Sequence, residues 1–208
     1  MANLIKYSRT FHLPWSLGVT DDDKVIPSVK IFEGRQVVVT EKMDGENTSM
    51  YSHAFHARSL DSKHHYTRDW VKQFWASIAR DIPENWRVCG ENMYAKHSIE
   101  YTNLESYFYG FSVWNEKNEA LSWDDTLDWF KLLGITPVPV LYRGIWNEKV
   151  IKSLWNKGDT FEGYVVRSED SFAYDDFKSN VAKFVRPNHV TTDTHWKFGV
   201  ITPNKLKA

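Results

Sequence analysis

The sequence predicts an α+β fold in which largely antiparallel sheets are flanked by helices. Short β-branched and aromatic runs outnumber the segments with helical periodicity. The two kinds of segment do not alternate regularly, which argues against a doubly wound parallel sheet. With 208 residues, 42% hydrophobic and 15% aromatic, the chain is expected to form one domain, residues 1–208, around a single substantial core.

Strand signals come from short runs of β-branched or aromatic side chains, the residue types that pack well on a pleated sheet. Six runs qualify, and the longest of them mixes apolar and polar residues in alternation. They are Val37–Thr40, Thr48–Arg58, Trp86–Cys89, Tyr107–Trp114, Phe161–Arg167 and Asn180–Val185.

Helix signals are fewer and come from apolar residues repeated every three to four positions. They mark the segments Asp69–Arg80, Ser122–Leu133 and Asn147–Trp155. The second helix should begin at a Ser-x-x-Asp N-cap and end at Gly134. Residues 1–30 show no such period and are expected to be irregular, with the acidic run Asp21–Asp23 in a solvated loop.

Composition excludes several classes of protein. The formal net charge is −1, so no overall basic field indicates a nucleic-acid partner, although a local basic groove is compatible with one. The single cysteine, Cys89, excludes an intramolecular disulfide and a multi-cysteine zinc site. No stretch approaches about 18 apolar residues, and the N-terminus has no apolar signal core. We therefore expect a cytoplasmic protein with no membrane partner. We also expect a monomer.

One charged segment, Lys42-Met43-Asp44-Gly45, directly follows the first predicted strand. By itself this K-x-D-G pattern is weak, because it occurs by chance in many proteins and Lys42 could be an ordinary surface lysine at a turn. Three later strand-like segments also carry a charged residue beside glycine or beside another charge, and an aromatic run lies among them. In chain order these segments are Cys89–Glu91, Tyr107–Val113, Glu162–Arg167 and Val181–Arg186.

In this order and spacing the segments resemble motifs I, III, IIIa, IV and V of the covalent nucleotidyltransferases. That superfamily contains ATP-dependent DNA ligases, RNA ligases and mRNA capping enzymes, and the match covers residues 41–186. The pattern is most similar to the RNA ligase family, especially its double-strand nick-sealing branch. The basis is the Gly90-Glu91 form of motif III, the Glu-Gly-Tyr-Val form of motif IV and the short adenylation domain.

The resemblance implies a nucleotidyltransferase, ATP-grasp-like adenylation domain that uses ATP as the AMP donor together with Mg²⁺ or Mn²⁺. Its partner would be a nucleic acid with 5′-phosphate and 3′-hydroxyl ends, with RNA favoured. Because only a short stretch follows Arg186, we expect no C-terminal OB domain, which disfavours a capping enzyme or a full DNA ligase.

Lys42 is implied as the nucleophile that attacks the α-phosphate of ATP and forms a lysyl-adenylate. With a pKa of about 10.4, only roughly one free lysine in a thousand is neutral at pH 7. Desolvation or a nearby cation, Lys183 or Mg²⁺, must therefore favour the neutral amine. Lys183 would also bind the α-phosphate and stabilise developing charge. The carboxylates of Glu41, Asp44 and Glu46 would instead favour the charged ammonium of Lys42. The mechanism therefore requires a metal ion that neutralises local carboxylates.

The motif IV carboxylate, Glu162, is the candidate to position Mg²⁺, directly or through water. Strand alternation would place Glu162, Tyr164 and Val166 on one face, where an acid among apolar neighbours indicates function. The alternative is a surface strand glutamate. Asp44 is implied to support the loop and the metal or nucleotide environment, and completes the implied catalytic set of Lys42, Asp44, Glu162 and Lys183.

The nucleotide-binding set implied by the resemblance adds a phosphate contact from Arg58, a ribose contact from Glu91 and an adenine stack on Phe111. The alternative for Arg58 is a solvated surface arginine, and the alternative for Phe111 is packing in the core. Gly45 would allow close approach to a ligand or a positive φ, or would be a plain turn glycine. The complete set is Glu41, Lys42, Gly45, Arg58, Glu91, Phe111, Lys183 and Arg186.

Three positions depart from the family pattern. Ser112 stands where many relatives carry Asp, and Val185 stands where many carry a second motif V lysine. Arg186 could replace that lysine only if the strand ends or twists near Pro187, because alternation turns it away from Lys183. His189 and His195 have no metal-pair spacing and are interpreted as ordinary polar residues.

The sequence therefore favours an ATP-dependent polynucleotide ligase that seals RNA ends or nicks. Three alternatives stay open: a DNA ligase-like enzyme, a GTP-dependent capping-type nucleotidyltransferase, and a non-catalytic nucleic-acid binding module with a ligase-like fold.

Overall fold

The computed structural model describes residues 4–61, 64–155, 160–187 and 201–208. Within these ranges the chain forms three α-helices and twelve strands. The helices are α1 Asp69–Ile78, α2 Trp123–Leu133 and α3 Glu148–Ser153. The strands are β1 Phe11–His12, β2 Gln36–Glu41, β3 Glu46–Met50, β4 Phe55–Ala57, β5 Arg87–Asn92, β6 Phe108–Trp114, β7 Glu119–Ala120, β8 Thr136–Pro137, β9 Val140–Ile145, β10 Gly163–Ser168, β11 Phe172–Ala173 and β12 Val181–Val185.

The strands form two sheets. The five-stranded sheet has the order β1-β12-β10-β2-β9, and the seven-stranded sheet has the order β11-β7-β6-β5-β3-β4, with β8 paired to β6. Only the β1–β12 and β6–β8 pairings are parallel among the described strands. The prediction of an α+β fold with largely antiparallel sheets is confirmed.

Each sheet contributes one face to an apolar core. In the five-stranded sheet Val39, Val166 and Phe184 are buried, and Ile151 of α3 packs with them. In the seven-stranded sheet Val88 and Phe108 pack in one cluster with apolar residues of α1 and α2. Burial of each large apolar side chain contributes about 1.5–3 kcal/mol, so these faces hold the helices against the sheets.

Capping residues explain where the helices start and stop. Ser122 Oγ accepts a hydrogen bond from the Asp125 backbone N–H at 3.2 Å, and α2 ends at Gly134, whose φ of 65° is left-handed. Asn147 caps α3 in the same way, since its Oδ1 accepts from Val150 N–H. The three predicted helices are present, and α3 ends two residues earlier than the apolar stripe suggested.

Two predictions about local structure are wrong. The run Thr48–Arg58 is not one strand, because a turn closed by the Tyr51 N–H and the Ala54 carbonyl separates β3 from β4, which then pair antiparallel. Residues 1–30 are not wholly irregular, because β1 pairs with β12 and Val29–Phe32 forms a 3₁₀ turn. None of the helices in the described ranges is long and apolar enough to cross a membrane.

Candidate active site

A cavity of about 300 Å³ is lined by residues of both sheets. The five-stranded sheet contributes residues of β2, β10 and β12, and the seven-stranded sheet contributes residues of β5 and β6. The N-terminal segment, residues 7–10, also contributes to its wall. Of the predicted site residues, the cavity lining contains Glu41, Lys42, Arg58, Glu91, Phe111 and Lys183.

Lys42 lies directly after β2, where its N–H donates to the Gly163 carbonyl at 2.8 Å. Its Nζ donates to Glu162 Oε2 at 2.6 Å, and the side chains are 26% and 7% exposed, respectively. Burial disfavours the Lys42 ammonium, but the charges of Glu162, Glu91 and Asp44 outweigh burial and raise the pKa of Lys42. The protein alone therefore holds Lys42 protonated.

Glu162 reaches Lys42 because it precedes β10 instead of lying within it. The predicted strand alternation with Tyr164 and Val166 therefore does not explain the position of Glu162. The break comes at Gly163, whose φ is 155° and whose absent Cβ would collide with the Phe184 carbonyl oxygen. Burial raises the pKa of the Glu162 carboxyl, while the Lys42 ammonium opposes that rise.

Glu91 lies on β5, where the Gly45 N–H donates to its carboxylate. Burial and the negative charge of Glu162 raise the pKa of Glu91 to about 8, against the favourable charge of Lys42. A Cβ at Gly45 would lie 2.6 Å from the Asn92 carbonyl oxygen. Gly45 therefore permits close approach of two protein segments, and it does not adopt the left-handed φ that was one of the predicted options.

Asp44 holds the loop that follows β5. Its Oδ2 accepts from the N–H groups of Ser98 and Ile99 at 2.7 and 2.9 Å, and its own N–H donates to Tyr101 Oη at 3.1 Å. Asp44 is not among the described residues that line the cavity. The structure places it as a positioning residue beside the Lys42 loop, and its catalytic role stays a prediction.

Lys183 lies on β12 and shares the cavity with Lys42. Burial and the Lys42 ammonium lower the pKa of Lys183. Asp23 Oδ1 lies 3.8 Å from Lys183 Nζ, 3.8 Å from Arg9 Nη2 and 3.3 Å from His12 Nε2. The expectation of a solvated acidic run is thus wrong for Asp23, because its side chain is only 16% exposed and faces the cations of the site.

The remaining predicted residues lie around the rim and wall. Arg58 follows β4 and is exposed at the cavity mouth, while Phe111 contacts Tyr7 edge-on with ring centroids 5.2 Å apart. Burial raises the pKa of Glu41. Arg186 N–H donates to the Glu162 carbonyl at 2.9 Å, but Arg186 is only 8% exposed and is not among the described cavity-lining residues. His189 and His195 lie outside the described residues.

Several cavity residues were missed from the sequence, among them Tyr7, Asp23, Trp114 and Arg167. No spacing rule marks Tyr7 or Asp23, because both come from the segment before β2 that has no period. Arg167 carried a signal, since strand alternation places it on the same face of β10 as Val165. Glu46 was expected to favour the Lys42 ammonium. Instead, Arg68 donates to both of its carboxylate oxygens at 2.6 Å and neutralises its charge.

The carboxylates Glu162 and Glu91 offer the hard oxygen ligands that Mg²⁺ and Mn²⁺ accept. No group of three or more His, Cys, Asp or Glu in the described ranges could hold a metal alone. Mg²⁺ usually takes one or two carboxylates and completes its shell with substrate phosphates and water. Since both carboxyl pKa values are raised by burial, a cation would stabilise their ionised forms. The residues therefore fit a divalent cation that arrives with a phosphate ligand.

The raised pKa of Glu91 predicts a pH-dependent stability. The folded protein keeps a proton on Glu91 that the unfolded chain loses above about pH 4.5, so the free energy of unfolding falls as pH rises from about 4.5 to about 8. Glu91→Gln should remove this fall and raise the Tm at pH 8 by at least about 2–4 °C, the shift that 1 kcal/mol gives in a chain of this size.

Thermal melts at pH 5 and pH 8 test this expectation, with the exposed Glu84→Gln as the matched control. The control should melt like the wild type at both values. A Glu91→Gln variant that melts below the wild type at pH 8 would show that the carboxylate stabilises the folded state.

Comparison with known families adds an independent finding. The profile of the RNA ligase family matches residues 35–185 of this chain. This range contains the predicted site residues from Glu41 to Lys183, and leaves Arg186 one position beyond its end. No curated protein matches the sequence significantly.

Solved structures with the same fold include three ligases. A variant of Naegleria gruberi RNA ligase with ATP and Mn matches 89% of this chain at 18% identity and a TM-score of 0.53. A protein of Aquifex aeolicus assigned as an ATP-dependent DNA ligase matches 88% of this chain at 16% identity and a TM-score of 0.57. An archaeal ATP-dependent RNA ligase matches 84% of this chain at 16% identity and a TM-score of 0.52. The chain spans 61%, 50% and 48% of the lengths of these proteins, respectively.

Proposed function

The chain belongs to the RNA ligase family, and we propose that it catalyses the ATP-dependent joining of polynucleotide ends, with RNA as the favoured substrate. The observation that carries the proposal is the Lys42–Glu162 ion pair, whose lysine lines one cavity together with Glu91 and Lys183. This arrangement supplies a nucleophile and a phosphate-binding cation at one cavity, with a proton acceptor in contact with the nucleophile.

In the proposed first step Lys42 Nζ attacks the α-phosphorus of ATP, and the bond from that phosphorus to the bridging oxygen of pyrophosphate breaks. The attacking amine must first lose a proton. Glu162 Oε2, 2.6 Å from Nζ, is the group placed to accept it. When bound, a divalent cation would neutralise phosphate charge and weaken the negative field that holds Lys42 protonated. Lys183 binds the charge that develops on the α-phosphate.

Two further displacements at phosphorus would complete the reaction. The 5′-phosphate of the nucleic acid attacks the lysyl-adenylate and takes the AMP, which frees Lys42. A 3′-hydroxyl then attacks the activated 5′-phosphate, and AMP leaves. Because each step builds charge on a phosphate, the same cations can serve all three.

A basic groove beside the cavity supports a polynucleotide partner. Lys6, Arg9 and Arg58 line it, no carboxylate is among its described lining residues, and it shares Tyr7 and Arg9 with the cavity. Hydrogen bonds hold this N-terminal segment in place, from Tyr174 Oη to the Lys6 carbonyl at 2.7 Å and from the Ile5 N–H to Tyr51 Oη at 2.9 Å. Cationic side chains along a backbone anchored in this way are suited to contact phosphodiester groups.

The groove predicts that Lys6→Ala weakens nick sealing without weakening AMP transfer to the enzyme, because Lys6 lines the groove and not the cavity. Loss of one phosphate contact should lower the slope of log affinity against log salt by about 1. Binding and sealing of a nicked duplex across a salt series measure this slope. Lys30→Ala, an exposed lysine outside the groove, is the matched control and should keep the wild-type slope. An unchanged slope in Lys6→Ala would show that Lys6 does not contact the nucleic acid.

Two assays decide between the remaining alternatives. Incubation with α-labelled ATP or GTP should leave label on the protein from ATP, whereas label from GTP alone would favour capping-type chemistry. A panel of nicked duplexes with RNA, DNA or mixed strands should show strongest sealing of 5′-phosphorylated RNA. Preferential sealing of all-DNA nicks would favour a DNA ligase, and no adduct with either nucleotide would favour a binding module. For the setting we propose RNA repair in the cytoplasm by a monomer.

A further inference from the structure

Asp23, in the loop that follows β1, lines the cavity but has no part in the reaction steps described above. Its Oδ2 accepts hydrogen bonds from the Thr20 N–H at 3.2 Å and from the Thr20 hydroxyl at 3.0 Å. The loop is tied back to β1, because the His12 N–H donates to the Lys24 carbonyl at 2.7 Å. In the parallel β1–β12 pairing His12 is opposite Lys183. The fold therefore fixes the second carboxylate oxygen of Asp23 beside Lys183.

That second oxygen, Oδ1, faces the nitrogen atoms of three basic side chains. His12 Nε2 lies 3.3 Å from it, and Arg9 Nη2 and Lys183 Nζ each lie 3.8 Å from it. Burial disfavours the ionised form of Asp23, but the hydrogen bonds from Thr20 and the charge of Lys183 outweigh burial and lower the pKa of Asp23. Asp23 is therefore a fixed negative charge at the phosphate-binding end of the cavity.

The surroundings of Lys183 make such a charge necessary. Burial and the positive charges of Lys42 and Arg58 lower the pKa of Lys183. The charge of Asp23 opposes this fall, and that of Glu162 does so to a smaller extent. Among the described residues, Asp23 is the only carboxylate that forms an ion pair with Lys183. An opposite charge at this range typically moves the titration of a group by about 1–3 pH units, so without Asp23 the amine would lose its proton at a lower pH.

We propose that Asp23 is a positioning residue that holds the Lys183 amine in place and charged for binding the α-phosphate of the nucleotide. The inference rests on the proposed function, because it takes Lys183 as the phosphate-binding cation. The reaction needs two amines of one cavity in different states, Lys42 neutral at the moment of attack and Lys183 charged. Because each lysine pairs with its own acid, Glu162 or Asp23, the two states can be set separately.

The pH profile of AMP transfer to the full chain at low ATP tests this role, because the rate then reports the titrating groups of the free protein. Its alkaline limb should follow the loss of the Lys183 proton. Asp23→Asn keeps the size of the side chain and an oxygen that can accept from Thr20, but it removes the charge. We expect its alkaline limb to lie about 1 pH unit or more below that of the wild type, with a rate about 10-fold lower on that limb. The acid limb, which follows Lys42, should keep its position.

A second measurement observes Lys183 without any reaction. Competitive acetylation of the nucleotide-free protein across a pH series, followed by proteolysis and mass spectrometry, gives the pH at which Lys183 loses its proton. This pH should fall in Asp23→Asn by the same amount as the alkaline limb, about 1 pH unit or more. A purely structural role of Asp23 would lower the rate at every pH and would move neither midpoint.

Asp22→Asn is the matched control, because it removes the same charge from the exposed neighbouring residue. It should keep the wild-type alkaline limb and the wild-type labelling of Lys183. Asp23→Glu restores a carboxylate and should move both midpoints back toward the wild type. If Asp23→Asn does not fold, Asp23→Ser, which leaves space for water beside Lys183, takes its place. Labelling of Lys183 at the wild-type pH in a folded variant without the carboxylate would overturn the inference.

AMP transfer by the wild type separates this inference from the proposed function. A lower labelling pH of Lys183 in Asp23→Asn, without any AMP adduct in the wild type, would support Asp23 as the group that keeps Lys183 charged and would contradict the ligase proposal. An AMP adduct with unchanged labelling of Lys183 would support the ligase proposal and contradict the role of Asp23.

Discussion

Replacing Lys42 by alanine is expected to abolish the covalent AMP adduct, with a loss of more than about 10³-fold in the rate of its formation. The amine of Lys42 is the proposed attacking atom, Glu162 has no nitrogen in its side chain, and the proposal assigns the Lys183 amine to binding the α-phosphate. Incubation with α-labelled ATP and Mg²⁺, quenched with detergent and a chelator and followed by denaturing electrophoresis, measures the adduct directly.

Two variants make this result specific. Lys96→Ala removes an exposed lysine that pairs with Glu100 at 3.2 Å, and it should form the adduct at the wild-type rate. Lys42→Arg keeps a cation beside Glu162 but offers a guanidinium that is a poor nucleophile, so it should form no adduct. An adduct of normal yield in Lys42→Ala would show that another residue is the nucleophile.

Glu162→Gln is expected to slow adduct formation by about 10²-fold to 10³-fold. The substitution keeps the size of the side chain but removes the charge that accepts the Lys42 proton and that suits a divalent cation. The effect should persist at saturating ATP, because it acts on the transfer step and not only on nucleotide binding. Single-turnover rates of adduct formation across a Mg²⁺ and Mn²⁺ series measure it.

Glu148→Gln is the control for Glu162→Gln. Glu148 is an exposed carboxylate that pairs with Lys152 on α3 at 2.6 Å, so the loss of its charge should leave the rate unchanged. If Glu162→Gln reacts within about threefold of the wild type at every metal concentration, Glu162 is neither the proton acceptor nor the metal ligand.

The parts of the site that could be predicted are those whose charged residue lies in or directly after a short apolar strand. Lys42 after β2, Glu91 on β5 and Lys183 on β12 each combine a charge with a short apolar run. Antiparallel pairing of β10 with both β2 and β12 then brings two of these segments together without any further information. The motifs therefore sufficed to bring Lys42, Glu91 and Lys183 to one cavity, but they did not predict its whole lining.

The parts that could not be predicted depend on long-range packing. Tyr7 and Asp23 reach the site because β1, only two residues long, pairs with β12. No local pattern distinguishes so short a strand from a loop. Arg167 was not predicted for another reason. A charged residue near the end of an apolar strand is expected to face solvent until the position of the facing sheet is known. Asp44 and Arg186 show that a motif position does not decide which way a side chain points.

The most direct test of the central claim is to locate the nucleotide on the protein. After incubation with ATP and Mg²⁺, proteolysis and mass spectrometry of the wild-type chain should find AMP on the peptide that contains Lys42, bonded to its Nζ. AMP on any other residue, or no covalent AMP on a folded protein that binds ATP, would contradict the claim.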